Sequence, residues 1–186
     1  DGLPLEPGSP SPSPLSPEPV LAGAPPTSEA SLPENPIDQG LRSFERGAFE
    51  QAVSYWTEAA RQFEKAGNPD RQSEALALLS RAYQAIGQYK KALESLDLAL
   101  ALARKSSNRV RIASILGILG HVHLLTGSAD QAQEDIQEAL DTAKDLGNTG
   151  LMAAILNHQG NLFVARQQVP EAMGAYRESA KLAREA

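Results

Sequence analysis

The chain has 186 residues and a formal net charge of −6, and eleven of its 13 prolines precede residue 37. That stretch also holds five acidic residues and no Lys, Arg or His, so residues 37–186 balance 17 basic against 18 acidic side chains. Near-neutrality excludes the basic stripe that displaces counterions from phosphates, and with it a nucleic-acid partner. The longest apolar run, Leu98 to Ala103, is six residues, far short of the ~20 needed to cross a bilayer. With no cysteine, disulfide frameworks, thiolate nucleophiles and zinc–thiolate sites are all excluded. The chain begins at Asp1 rather than Met, which fits a removed signal peptide or a fragment of a longer protein. Together with the missing Cys it tilts the expectation to an exported protein rather than a cytoplasmic one.

In chain order, residues 1–36 form a Pro/Ser-rich segment whose prolines forbid helix and sheet. It is expected to be extended and polyproline-II-like, with a reach of roughly 110 Å at about 3.1 Å per residue. Its apolar anchors are Leu15 and the Val20–Leu21 pair, and Ser-Pro steps at Ser9, Ser11, Ser13 and Ser16 could accept O-glycans in an exported protein.

The remainder is a gapless repeat of forty residues: Gly47–Ile86, Gly87–Thr126, Gly127–Arg166 and a half unit Gln167–Ala186. Gly47, Gly87 and Gly127 sit where a tight helix–helix turn needs positive φ, and Gln167 breaks that column, which makes its turn less ideal. Ala52, Ala92, Ala132 and Ala172 are small where antiparallel helices cross, and Gly40, Ser80, Gly120 and Gly160 are the matching small positions on the preceding helix. Trp56, Leu96, Ile136 and Tyr176 fill a large apolar column. Asn68, Asn108 and Asn148 recur at the other turn, where Asn tolerates left-handed backbone. This register predicts helices over about 37–46, 48–66, 70–86, 88–106, 110–126, 128–146, 150–166 and 168–186. Each presents one apolar face that only a neighbour can cover.

The motif Leu76, Leu79-Ser80, Tyr83, Gly87, Tyr89, Ala92, repeated as Leu116, Leu119-Gly120, His123, Gly127, Ala129, Ala132, resembles the tetratricopeptide repeat. A third copy reads Leu156, Gln159-Gly160, Phe163, Gln167, Val169, Ala172. The spacing of 40 exceeds the family's usual 34, and the family's Pro near the unit end is replaced by Arg104 and Lys144. The resemblance implies an all-α fold, a right-handed α-solenoid of antiparallel helix pairs. It would have about four units (37–66, 70–106, 110–146 and 150–186), the first and last partial, preceded by the extended tail.

It further implies ligand binding in a concave groove lined by the first helix of each unit. By position the groove residues are Phe44, Arg81, Gln84, His121, Asn157 and Asn161, the Asn pair being suited to hold an extended peptide's backbone. The lysines of the family's carboxylate-clamping groove are missing, with Ala77 and either Glu74 or Ala154 in their places, so that chaperone-type function is not expected. His121 and His158 can approach across adjacent units, but no third ligand is in view for a metal. Lys90-Lys91 and Glu134-Asp135 read as solvated faces. No catalytic triad, phosphate loop or HExxH motif is present, and neither an enzyme nor a cofactor is expected.

Three readings follow. The first is a non-enzymatic scaffold that self-associates end to end, as a filament or ring subunit. Its contacts would be Ile37, Leu41, Met173, Tyr176 and Leu182, with the tail residues Leu15, Val20 and Leu21 docking on a neighbouring copy. The second is an adaptor binding an extended peptide. The third is a sensory array within a larger protein. The partner in the first is a copy of the chain itself, and none of the three inserts into a membrane.

Overall fold

The structure, a computed structural model, describes residues 35–186. They form eight helices: α1 (Pro36–Glu45), α2 (Phe49–Lys65), α3 (Pro69–Ala85), α4 (Tyr89–Lys105), α5 (Arg109–Leu125), α6 (Ala129–Asp145), α7 (Thr149–Ala165) and α8 (Val169–Glu185). No strand occurs among the described residues. The predicted helices fall within a residue or two of these bounds. The expectations for Leu15, Val20 and Leu21 lie outside the described residues.

The regularity comes from the turns. Residues 47, 67, 87, 107, 127, 147 and 167 all have positive φ, one every twenty residues. Five are glycines; Ser107 (φ +56°) and Gln167 (φ +60°) adopt the same conformation against the steric preference of a side chain. Each turn closes as a Schellman motif, with a six-to-one bond such as Ala48 N to Ser43 O at 2.8 Å or Gln168 N to Phe163 O at 2.8 Å. Gln167 therefore keeps the turn and carries its strain.

The recurrent asparagines have a different role from the one expected. Asn68, Asn108 and Asn148 are N-caps, at φ −108°, −81° and −88°, and each side-chain oxygen accepts from the backbone N–H three residues on. The left-handed residue is the one before each Asn. Capping satisfies an orphan N–H at the start of α3, α5 and α7. Asn35 starts α1 with a related bond to Ile37 N. The even-numbered helices from α2 to α8 have no side-chain cap and depend on the Schellman turn before them.

Each helix packs on the next in sequence, and α7 also packs on α5. In α4 the buried stripe is Ala92, Leu96, Ala99, Leu100 and Ala103, at the spacing of one helical face, and α6 repeats it at Ala132, Ile136, Ala139, Leu140 and Ala143. α5, held among α3, α4, α6 and α7, is buried around much of its surface, including Ile115, Leu116, Leu119 and Val122. The small column meets the large one. A Cβ added at Gly40, Gly120 or Gly160 would lie 2.3 Å from Trp56 Nε1, 2.6 Å from Ile136 Cγ1 or 2.4 Å from Tyr176 Cε1. Trp56 is fully buried, and its indole N–H donates to Ile37 O at 3.1 Å, which satisfies the one polar atom that burial would penalise. No helix among the described residues is long and apolar enough to cross a membrane.

Candidate functional site

The odd-numbered helices share a face because each is separated from the next by one even-numbered helix. Between α3, α5 and α7 this face opens a cleft of about 360 Å³. Arg81 and Gln84 line it from α3, and Ser114, Gly117, Ile118 and His121 from α5. Leu151, Ala154, Ile155 and His158 complete it from α7. No carboxylate is among these lining residues.

Arg81 is exposed, and its guanidinium lies 5.1 Å from the centroid of the half-buried Phe44 ring, a cation–π contact that holds the charge over the groove. Phe44 is itself fixed by Phe49 and Trp56, at centroid separations of 5.1 and 5.6 Å. Arg81 makes no ion pair among the described residues, whereas Arg61, Arg71, Arg104, Arg109, Arg111 and Arg166 all do. Gln84 Nε2 donates to Ser80 O at 3.3 Å.

Across the cleft His121 and His158 come together, with ring centroids 5.1 Å apart and an interplanar angle of 33°. Gly117 makes room for the pair: a Cβ there would touch Ile155 Cγ1 at 3.2 Å and His158 Cδ2 at 3.7 Å. In each ring Nδ1 is buried without a hydrogen-bond partner. Burial holds the His121 pKa below its ordinary value. His158 is lowered to about 4, by burial first and by His121 second. Both rings are therefore neutral at pH 7.

The equivalent junction one step earlier is polar. Asp70, in the first turn of α3, accepts from Asn108 Nδ2 at 2.7 Å and from Arg111 Nε at 3.1 Å, both at the start of α5. Arg111 also reaches Glu74 at 3.6 Å, and Glu74 pairs with Arg71 at 2.8 Å. The hydrogen bond from Arg111 is the main reason the Asp70 carboxyl sits below its usual value.

Of the groove residues expected from sequence, Arg81, Gln84 and His121 line the cleft, and Phe44 supports it from below. The Asn pair does not act as expected. Asn157 is exposed and outside the cleft, and the Asn161 side-chain oxygen accepts from Tyr176 Oη at 2.7 Å. His158, Ile118, Leu151 and Ile155 were missed as lining. The repeat alignment held a signal for His158, which occupies the column of Leu78 and Ile118.

Of the residues expected to make self-association contacts, Ile37 and Leu182 are buried within the chain itself, and Tyr176 is half-buried over Gly160. Leu41 and Met173 are exposed. Glu134-Asp135 is not a plain solvated face. Asp135 is half-buried and meets His123 Nδ1 at 2.7 Å, and burial raises its pKa while His123 opposes the rise. Among the described residues no group of three or more His, Cys, Asp and Glu side chains could hold a metal ion.

No curated protein sequence matches the chain significantly. Among solved structures, BtubC (BKLC) from P. vanneervenii superposes with a TM-score of 0.67 at 22% identity, over 79% of this chain and 60% of that one. A Rap protein, crystallised in complex with competence and sporulation factor, superposes with a TM-score of 0.73 at 19% identity, over 81% of this chain and 42% of that one. At such identities the likeness is one of fold, and this chain spans less than two thirds of either neighbour. A family model, the tetratricopeptide repeat, matches residues 43–105. Residues 43–105 are thus similar to the tetratricopeptide repeat, and the helices beyond them continue the same fold of packed helix pairs.

Proposed function

We propose that the chain is a non-enzymatic docking scaffold that receives an extended peptide segment in the cleft between α3, α5 and α7. The observation that carries this reading is the cleft itself. It offers an apolar floor, an arginine without an ion-pair partner and two histidines, on the face where helices of successive repeats lie side by side. A concave, mostly apolar surface with a few convergent polar groups is the ordinary form of a recognition site. The neighbour bound to competence and sporulation factor is consistent with this use of the fold. The test is selection of displayed peptides against the full chain, followed by rebinding to Ala154→Trp, which fills the cleft from an exposed position. Selected peptides should lose at least about tenfold in affinity (about 1.4 kcal/mol) to that variant. Peptides indifferent to it would overturn the reading.

A second reading is end-to-end self-association, with the Pro-rich segment 1–36 docking on a neighbouring copy. Two observations favour it: Leu41 on α1 and Met173 on α8 are exposed large apolar residues, and the tail's five carboxylates have no basic residue beside them in 1–36. Sedimentation velocity at several concentrations decides it. A concentration-dependent shift abolished by Leu41→Asp with Met173→Asp supports self-association. A single monomeric species at all concentrations removes it.

A further inference from the structure

We propose that the α3–α5–α7 cleft is a carboxylate-binding site that takes an internal Asp or Glu side chain of the docked peptide, through Arg81 and the Nε2–H groups of His121 and His158. The inference rests on the peptide-docking reading and names the chemistry of its ligand.

The first argument is charge. Arg81 is the one full charge on the lining, it has no carboxylate partner among the described residues, and Phe44 holds it in place. Six arginines elsewhere in the fold have acidic partners, including Arg104 with Glu138 and Arg109 with Asp145; Arg46, Arg177 and Arg184 share the lack of one among the described residues but do not line the cleft. A guanidinium fixed over a cleft that holds no carboxylate attracts an external one, and in that geometry the pairing is strong.

The second argument is the tautomer of the histidines. Each ring buries Nδ1 where nothing can accept or donate a hydrogen bond. A buried, unpaired N–H is a rarer and costlier arrangement than a bare ring nitrogen, so the single proton of the neutral imidazole belongs on Nε2. Only Nδ1 is sealed off, which leaves Nε2 as the nitrogen available to the cleft. The cleft therefore presents two neutral donors and one cationic donor, with no anion to satisfy them. Protonating either ring would place a second N–H at the buried Nδ1, so the rings bind an anion as neutral donors and take up no proton. Arg81 from α3 and His121 from α5 are the charged or titratable side chains facing His158 across the cleft, and neither α6 nor α8 contributes a charged group to the lining.

The third argument selects the source of the carboxylate. Apart from Gln84 and Ser114, the rest of the lining, Gly117, Ile118, Leu151, Ala154 and Ile155, is apolar. A Glu or Asp side chain arrives on methylene groups that suit such walls and leaves its main chain in water. A chain terminus would bring main-chain N–H and C=O groups into the same walls, where they would lose hydrogen bonds.

The experiment uses the full chain and an array of N-acetylated, C-amidated nine-residue peptides, with Glu or Gln at the centre and randomised flanks, read at pH 6, 7 and 8. A parallel set carries Gln at the centre and a free C-terminal carboxylate. Glu peptides should bind about tenfold more tightly than their Gln counterparts, with a ratio flat from pH 6 to 8. Arg81→Gln, an exposed position, and His158→Ile, which restores the repeat column, should each bring the ratio within about twofold of unity. Nitrogen-15 spectra of the histidines should show Nε2–H tautomers whose Nε2 resonances move on binding. Equal binding of Glu and Gln peptides, still lost in Ala154→Trp, would overturn this inference and leave peptide docking standing. Absence of any binding sensitive to Ala154→Trp would remove both. Preference for the free chain end, a ratio that rises steeply towards pH 6, or Nδ1-protonated rings would each overturn the inference alone.

Discussion

The two junctions along the odd-helix face are built from the same repeat columns and are chemically opposite. Between α3 and α5, Asp70, Glu74, Asn108 and Arg111 satisfy one another across the helix starts. One unit on, the places of Asp70 and Arg111 are taken by Val110 and Leu151, and the column of Leu78 and Ile118 holds His158. The first junction has its helix-start charges paired with one another; the second has two imidazoles whose Nδ1 atoms lack a hydrogen-bond partner. Within each helix pair, by contrast, the columns hardly vary, because Gly40, Gly120 and Gly160 leave no room for a side chain against Trp56, Ile136 and Tyr176. The repeat keeps its fold in the columns inside pairs and is free to differ in the columns between them. The chemical individuality of the odd-helix face therefore lies where the repeat departs from itself.

The largest expected effect tests the histidine junction by acid. The His158 pKa is about 4 folded against about 6.5 unfolded, so the unfolded chain binds the proton more tightly. The ring's contribution is complete above pH 6.5 and falls as pH drops towards 4, by about 3 kcal/mol in all. Urea unfolding of the wild-type chain and of His158→Ile, compared from pH 7 to 4, isolates it; parallel curves would break the assignment of a buried neutral ring. Asp70 works in the same sense at lower pH. Its lowered carboxyl pKa contributes above its unfolded value of 3.8 and is lost only as pH falls through its folded value. The two junctions thus fail in separate pH windows.

Next is the contrast between columns inside and between pairs. Gly160→Ala drives a Cβ into the Tyr176 ring and should cost about 2 kcal/mol by chemical denaturation. His158→Ile should raise stability at pH 7 by about 1 kcal/mol, because it removes a buried nitrogen without a partner and restores an apolar column. Tolerance of Gly160→Ala would show that the intra-pair column is not the constraint described. At the polar junction, Asp70→Asn should cost up to about 1 kcal/mol, the effect shrinking at high salt because the pair is partly exposed. The smallest effect lies in the turns. Gln167→Gly should stabilise by under about 1 kcal/mol, since it relieves a side chain at φ +60°, and a drop in melting temperature would contradict that account.

Much of the fold was legible from residues alone. A period of forty set helix number and order, the turn glycines set the helix ends, and the alternation of small and large columns set which helices pair. The role of the asparagines was misread, because a cap and a left-handed turn residue are adjacent in sequence and only backbone torsions separate them. Arg81, Gln84 and His121 were reachable because groove positions follow from the repeat register. Asn161 was misassigned because its partner, Tyr176, lies on the packed helix α8, fifteen residues away. Register says which face a residue occupies and nothing about which neighbour claims its hydrogen bond.

The sequence by itself determined the helical period, the places of the turns and the near-neutral, cysteine-free character of residues 37–186, since all of these depend on spacing and composition. The tertiary structure alone decided that Arg81 finds no acidic partner among the described residues, that His121 and His158 meet at 5.1 Å, and that their Nδ1 atoms are buried without one. These properties arise between helices separated by twenty or more residues, where distance and desolvation, not sequence spacing, set the energy of a polar group.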